Sequence, residues 1–134
     1  LGAGAPAPER LMRLSVTVDV PDLGRGIAFF AGAFGFREVA RPFPAHAVLE
    51  SGGQTLGLME KPEGSRATPA GGTERRYARH WTPVHLDLHV EDFEGTLAAV
   101  EGLGGTVEAV HRVPGRGPVA FCADPFGHGF CVLG

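Results

Sequence analysis

Two histidines flank an aspartate at alternate positions in the second half of the chain. His85, Asp87 and His89 stand at i, i+2 and i+4, so in an extended strand their side chains emerge on one face. Neutral imidazole and carboxylate groups are good ligands for Zn, Fe, Mn or Ni, and His85 could also act as a general acid or base. Hydrogen bonding across a sheet, or contact with solvent, is the plainer interpretation. The spacing leaves all three open.

The segment that holds these residues repeats an earlier one. Residues 14–36, LSVTVDVPDLGRGIAFFAGAFGF, align without gaps with residues 84–106, VHLDLHVEDFEGTLAAVEGLGGT, after a shift of seventy positions. Each copy opens with strict alternation of apolar and polar residues, over 14–20 and 84–90. A period of two predicts a strand with one buried and one polar face. Since repeats of this length define architecture, the chain is expected to contain two similar modules.

Each predicted strand leads into a predicted helix. Asp22 and Asp92 are suited to cap the helix starts, because a short carboxylate accepts the free amide hydrogens of a first turn. Gly35 and Gly105 stand where each helix is expected to end in a left-handed residue. The apolar residues between them fall at helical spacing, and they are Leu23, Ile27, Phe30 and Phe34 in the first copy and Phe93, Leu97, Val100 and Leu103 in the second.

Strand-rich sequence follows each helix and completes the modules. Hairpins are predicted over 47–50 and 55–60, and over 119–123 and 129–133, with shorter strands before them at 37–42 and 106–113. Each half therefore reads β-α-β-β-β. The predicted fold class is α+β, with two βαβββ modules in tandem forming curved mixed sheets around a cleft. We expect a flexible leader at 1–11 and a single domain at 12–134. Its modules span about 12–61 and 83–134, joined by a Gly- and Pro-rich linker at 62–82.

The polar strand faces are expected to line the cleft between the modules. The apolar residues of each leading strand should pack beneath its helix, so the polar set faces the other way. A concave face that mixes polar and apolar groups is typical of a small-molecule site. Trp81 fits a cleft wall and a core cover equally well, and the histidines at 46, 80, 111 and 128 are expected in structural or exposed loops. The predicted cleft residues are Ser15, Thr17, Asp19, Gly57, Trp81, His85, Asp87, His89, Phe121 and Cys131.

Composition narrows the class of protein. The 134 residues are 43% hydrophobic and 20% charged, with a net charge of −3, and no basic stripe with interleaved aromatics suggests a nucleic-acid partner. No apolar run approaches about 18 residues, so no membrane partner is expected. Cys122 and Cys131 are too few for a disulfide framework. They are expected to be small buried hydrophobes in the reducing cytoplasm.

Three segments resemble the vicinal oxygen chelate superfamily, which includes glyoxalase I, bleomycin-resistance proteins and extradiol dioxygenases. They are VDVPDLGRGIAFFAGAFGF, VHLDLHVEDFEGTLAAVEGLGG and FCADPFGHGFCVL, and the resemblance covers residues 12–134. In metal-dependent members, each leading strand and each last strand supplies one ligand. The matching positions here are Ser15, Gly57, His85 and Cys131. Of these only His85 is a usual ligand, so the resemblance implies that a four-ligand metal site is not formed.

Two functions from different classes follow from the resemblance. The first is a glyoxalase/bleomycin resistance/dioxygenase-like protein that binds a small molecule in the cleft without the usual metal site. The alternative is a metal-dependent lyase, isomerase or dioxygenase with a divalent metal in a rebuilt site around His85, using Asp87, His89, Asp19 or Glu60. A third hypothesis, an oligomer or scaffold piece without chemistry, fits the polar cleft face less well. Relatives of this size imply a homodimer.

Overall fold

Each half of the chain folds into a four-stranded sheet with one helix packed on one face. The protein is described as a computed structural model, which covers residues 4–5 and 10–134; most of the predicted leader at 1–11 lies outside them. The elements are β1 (Thr17–Val20), α1 (Leu23–Phe34), β2 (Arg37–Phe43), β3 (His46–Ser51), β4 (Gln54–Glu60), β5 (Arg66–Thr68), β6 (Gly71–Glu74), β7 (Leu86–His89), α2 (Phe93–Gly102), β8 (Thr106–His111), β9 (Val119–Ala123) and β10 (Gly129–Leu133).

The two sheets have the same strand order and the same register. The first sheet runs β1-β4-β3-β2 and the second β7-β10-β9-β8, with the leading strand parallel to the last strand in each. Thr17 lies opposite Gly57 in the first sheet, and Asp87 lies opposite Cys131 in the second. Thr17 and Asp87 are equivalent under the seventy-residue shift, so the predicted α+β fold of two βαβββ modules is confirmed.

The helix starts are fixed by the predicted aspartates. The Asp22 carboxylate accepts a hydrogen bond from the backbone N–H of Arg25 at 3.0 Å. The Asp92 carboxylate accepts one from Gly95 at the same distance. Each bond satisfies an amide that has no partner within its helix. Both predicted N-caps are therefore confirmed.

The two helices end differently, and one prediction is wrong. Gly35 caps α1 in the left-handed conformation, with a φ of 73°. In α2 the left-handed residue is Gly104, with a φ of 92°, because this helix is shorter and ends at Gly102. Gly105 serves instead for close approach, since a Cβ there would lie 2.8 Å from the carbonyl oxygen of Ala123.

One hydrophobic core spans both modules. The helices pack against each other, and the buried residues of both sheets form one cluster. Phe130 of β10 lies edge-to-face against Phe34 of α1, with ring centroids 5.6 Å apart, and also against Phe29 at 6.2 Å. Because the helix-facing sides of the sheets share this core, their polar sides are left for the cleft.

The leading strands are shorter than the alternation predicts. Leu14 is 80% exposed and Val84 is 83% exposed, whereas both were expected beneath a helix. Their neighbours explain this, because pairing in the first sheet starts at Thr17 and in the second at Leu86. The earlier residues have no partner strand against which to bury an apolar side chain.

The segment predicted as an irregular linker contains a short hairpin. Strands β5 and β6 pair within residues 62–82, and the backbone N–H groups of Gly64 and Arg75 bond to the carbonyls of Arg75 and Ser65. The chain then runs along the edge of the cleft, where His80 forms an isolated bridge to His128. Among the described residues, no helix is long and apolar enough to cross a membrane.

Candidate functional site

A cavity of about 290 Å³ lies between β1 and the start of β7; we call it the cleft cavity. Its polar wall combines Thr17 and Asp19 of the first module with His85 of the second. Phe30 and Phe130 are apolar lining residues of the same cavity. The remaining lining residues are Val16, Val18, Thr82, Val84, Leu86, Asp124, His128 and Gly129. A mainly apolar cavity with a few converging polar groups is typical of a small-molecule site.

A second cavity of about 510 Å³ adjoins the first and shares Asp19 and His128 with it. Its wall is residues 73–78 and His80, the end of the predicted linker. Arg75 anchors this wall, because its Nε donates to the Asp19 carboxylate at 2.7 Å. The linker segment is thus an integral part of the cleft edge, and Asp19 enters the cleft already paired with a cation.

Tyr77 fixes the same segment to the first module. Its hydroxyl donates to the carbonyl oxygen of Lys61 at 2.6 Å. Burial raises the pKa of the Tyr77 phenol, and the nearby Asp19 charge raises it further. The phenol therefore stays protonated and acts as a hydrogen-bond donor rather than as a base.

Three metal-ligand types converge on the polar face of the second sheet. His85 Nε2 lies 3.1 Å from Asp87 Oδ1, and Cys131 stands opposite Asp87 in the register. Ligand atoms of the three residues all lie within 4.8 Å of one another, and we call them the His-Asp-Cys cluster. Nitrogen, oxygen and sulfur donors together suit Zn²⁺ best among common divalent metals.

The thiol of this cluster is held in its protonated form. Burial raises the pKa of Cys131, and the Asp87 charge and the hydrogen bond that the thiol donates to Asp87 raise it further. A metal would have to displace that proton, since only the thiolate is a strong ligand. The cluster therefore fits a metal by donor type and spacing, at the cost of rearranging its own proton.

The first module does not repeat this donor set. Gly57 has no side chain, and a Cβ there would lie 2.9 Å from Thr17 Oγ1 and 3.2 Å from His46 Nε2. His46 belongs to β3 rather than to a loop, its ring stacks on Phe43, and its buried Nδ1 has no hydrogen-bond partner in the described part of the chain. Ser15 precedes β1 and is exposed. Two of the four family ligand positions, Ser15 and Gly57, thus supply no imidazole, carboxylate or thiol ligand.

Trp81 lies over the second module's face of the cleft and not over the core. Its ring is 5.0 Å from that of His85 and 5.8 Å from Phe121, and 42% of the residue is exposed. It packs directly across Gly129, where a Cβ would come within 2.3 Å of the indole. Trp81 and Phe121 therefore form an aromatic cover beside His85.

The predicted cleft residues separate into groups. Thr17, Asp19 and His85 line the cleft cavity. His89 lies elsewhere: with Asp87 it borders a third cavity, of about 330 Å³, whose other wall includes Phe34. Trp81, Phe121 and Cys131 surround His85, and Gly57 lies in the first sheet. Ser15 precedes β1 and is exposed.

An aspartate and a histidine that the sequence reasoning did not assign to the site also line the cleft cavity. Asp124 is only 4% exposed, and its Oδ1 accepts the backbone N–H groups of Phe126 and His128 at 2.9 and 3.0 Å. Its Oδ2 lies 2.7 Å from His128 Nδ1. The sequence offered one indication of this pair. His128 ends the turn Asp-Pro-Phe-Gly-His at a position where the family pattern has asparagine.

The fold and this cleft can now be compared with known proteins. A family model described as a glyoxalase-like domain matches residues 15–133. The chain therefore belongs to the glyoxalase-like domain family, within the vicinal oxygen chelate superfamily. No curated protein sequence matches it.

Solved structures with the same fold include enzymes and resistance proteins. The fosfomycin resistance protein FosX from Listeria monocytogenes, complexed with Mn(II) and 1S,2S-dihydroxypropylphosphonic acid, has a TM-score of 0.70 at 19% identity, covering 92% of this chain and 90% of that one. Lactoylglutathione lyase from Agrobacterium tumefaciens has a TM-score of 0.61 at 22% identity, covering 95% of this chain and 94% of that one. FosX from Mesorhizobium loti has a TM-score of 0.66 at 20% identity, covering 95% of this chain and 92% of that one. At these identities the likeness establishes the fold alone.

Proposed function

We propose that this glyoxalase-like protein binds a small organic molecule in the cleft cavity without the usual four-ligand metal site. The observation that carries the proposal is a cavity in which Thr17, Asp19 and His85 face apolar lining from Phe30 and Phe130. Polar groups from both modules converge there, so a ligand would bridge the modules. The polar strand faces that line this cavity are therefore the part of the repeat to which we assign a function beyond folding.

The charges around the cavity indicate what kind of ligand fits. Asp19 is neutralised by Arg75 at 2.7 Å, and His85 faces Asp87 at 3.1 Å. Because neither wall presents an unpaired charge from these residues, a ligand with hydroxyl or carbonyl groups on an apolar or aromatic body is favoured over a highly charged one. The volume of about 290 Å³ suits a ligand at the small end of the usual range.

Ligand-induced stabilisation tests this proposal. Protein prepared without a nickel column would be heated with a panel of small aromatic and hydroxylated compounds, because a ligand present at about 100 times its Kd stabilises the fold by about 2.7 kcal/mol. Thr17→Val and His85→Gln should weaken a hit at least tenfold. His89→Gln is the matched control, since His89 shares strand β7 but not the cleft cavity. Equal affinity in all three variants would place the ligand elsewhere.

A metal-dependent lyase, isomerase or dioxygenase is the second candidate, and the His-Asp-Cys cluster favours it. His85, Asp87 and Cys131 would hold the metal, and a bound divalent ion would supply Lewis-acid polarisation of a ligand oxygen. The protein residues would position that oxygen beneath Trp81, whose ring lies 5.0 Å from His85.

Elemental analysis separates the two candidates. The metal-dependent function requires close to one equivalent of metal per chain, lost in His85→Gln and Cys131→Ser and kept in His89→Gln. After metal removal with a chelator, added Zn²⁺ should then raise the melting temperature of the wild type and of His89→Gln, but not of the other two variants. Metal-free protein that Zn²⁺ does not stabilise, but that a compound from the panel does, would support the binding function and contradict the metal-dependent one.

We also propose a homodimer located in the cytoplasm. Large apolar side chains exposed on the described surface support self-association, including Leu14, Val84 and Val113. The two cysteines are free, which suits a reducing compartment. Light scattering on the purified chain measures the dimer directly, and a monomer at micromolar concentration would contradict it.

A further inference from the structure

The turn that precedes β10 presents an imidazole to the cleft in one fixed orientation. Asp124 is the buried charged residue of the described chain, at 4% exposure, and three hydrogen bonds determine where its carboxylate lies. One of these bonds is to His128 Nδ1. His128 itself is partly open, with 31% of its side chain exposed, and it lines both the cleft cavity and the adjoining one.

The hydrogen bond decides which ring nitrogen is basic. A carboxylate can only accept, so Nδ1 must carry the proton in the bond to Asp124. In the neutral imidazole the lone pair then resides on Nε2. That nitrogen has no hydrogen-bond partner among residues 4–5 and 10–134. The arrangement of a buried acceptor, a fixed imidazole and a free Nε2 is that of an oriented general base.

We propose that Asp124 and His128 form a general-base dyad that acts on the ligand of the cleft cavity. His128 Nε2 takes a proton from a ligand O–H or acidic C–H group, and the electron pair of the broken bond stays on the ligand as an oxyanion or enolate. The imidazolium so formed is stabilised by the buried Asp124 carboxylate, and it returns the proton to the product. The dyad rests on the proposed function, because it needs a ligand in that cavity. The substrate class is a small molecule with an acidic proton next to a carbonyl or on a hydroxyl.

A purely structural role for Asp124 makes different predictions. As a turn-stabilising residue it needs only Oδ1, which accepts the two backbone N–H groups at 2.9 and 3.0 Å. Asp124→Asn preserves an oxygen for those bonds while it offers His128 an amide. His80 supplies a matched reference within the same molecule, because its Nδ1 faces the carbonyl oxygen of Ala78 at 2.8 Å rather than a carboxylate.

The test measures the His128 ring without any ligand, so its failure is distinct from a failed ligand screen. Long-range proton–nitrogen NMR on the full chain should find neutral His128 with its proton on Nδ1. Diethyl pyrocarbonate is the chemical probe, because it acylates an unprotonated ring nitrogen. In Asp124→Asn the amide N–H donates to Nδ1 and leaves the ring proton on Nε2. The His128 acylation rate, read by mass spectrometry, should therefore fall on the order of tenfold or more, the size of one charge-assisted hydrogen bond. The His80 rate should not change.

Two results would overturn the dyad. One is neutral wild-type His128 with its proton on Nε2, a measurement that does not depend on whether the variant folds. The other is an unchanged His128 acylation rate in folded Asp124→Asn. His128→Gln, which removes the imidazole from the cleft cavity, then provides the functional readout. With a compound from the binding panel that carries an exchangeable C–H, deuterium exchange measured at saturating compound should occur in the wild type and be lost in this variant.

Discussion

Phe130 connects the second sheet to the first helix, and its removal tests whether the cleft rests on one shared core. The residue is 3% exposed and contacts Phe29 and Phe34 edge-to-face at 6.2 and 5.6 Å. Truncation of a buried Phe to Ala costs about 3–5 kcal/mol, and within that sum each edge-to-face pair is worth about 0.5–1.5 kcal/mol. Phe130→Ala should therefore lower the free energy of unfolding by about 4 kcal/mol.

Urea unfolding followed by circular dichroism and by Trp81 fluorescence measures this loss. Both probes should report one coincident transition, because a shared core makes the two modules unfold together. Phe43→Ala is the matched control: Phe43 is 65% exposed, so its loss should change stability by less than about 0.5 kcal/mol. A loss below about 1.5 kcal/mol in Phe130→Ala, or two separate transitions in the wild type, would refute the shared core.

Three further predictions address single residues. Burial raises the pKa of the Cys122 thiol from 9.0 to about 11. Because the thiol of the unfolded chain loses its proton at lower pH, the free energy of unfolding should fall between about pH 9 and 11, on the order of 2 kcal/mol. Urea unfolding of Cys122→Ala over the same pH range should lack this part of the decrease. Asp22→Ala should cost about 1 kcal/mol of stability and Asp22→Asn almost none, since asparagine also caps a helix. Gly129→Ala should displace Trp81, as the new Cβ would lie 2.3 Å from the indole, and its fluorescence emission should shift to longer wavelength; an unchanged spectrum would contradict the packing.

Local chemistry explains why much of the fold could be predicted. Alternation over four residues specifies the faces of β1 and β7, and a single carboxylate at Asp22 or Asp92 specifies a helix start. The turn between β3 and β4 needs two left-handed residues, and Gly52 and Gly53 supply them with φ values of 57° and 79°. These features depend only on residues that are close together in the sequence, so the sequence alone is enough to predict them.

The cleft depends on contacts that no local pattern encodes. Arg75 reaches Asp19 across 56 positions, and this pairing gives the predicted linker a fixed place at the cleft edge. His46 was expected in a loop, yet its Nε2 would lie 3.2 Å from a Cβ at Gly57. That approach depends on the absence of a side chain on a different strand. Long-range electrostatic and packing effects of this kind become visible only after the chain is folded.

The repeat determines where side chains stand but not what they do. The pair Thr17 and Gly57 occupies the same register as the pair Asp87 and Cys131, so the backbone offers two equivalent places for chemistry. Only the second place has side chains that could bind a metal, and His85 lies 3.1 Å from Asp87 there. The first module accordingly contributes the opposite wall, where Thr17 and Asp19 can hydrogen-bond a ligand but cannot complete a symmetrical metal site. Any chemistry in this cleft is therefore carried by the second module, with the first module acting as its binding surface.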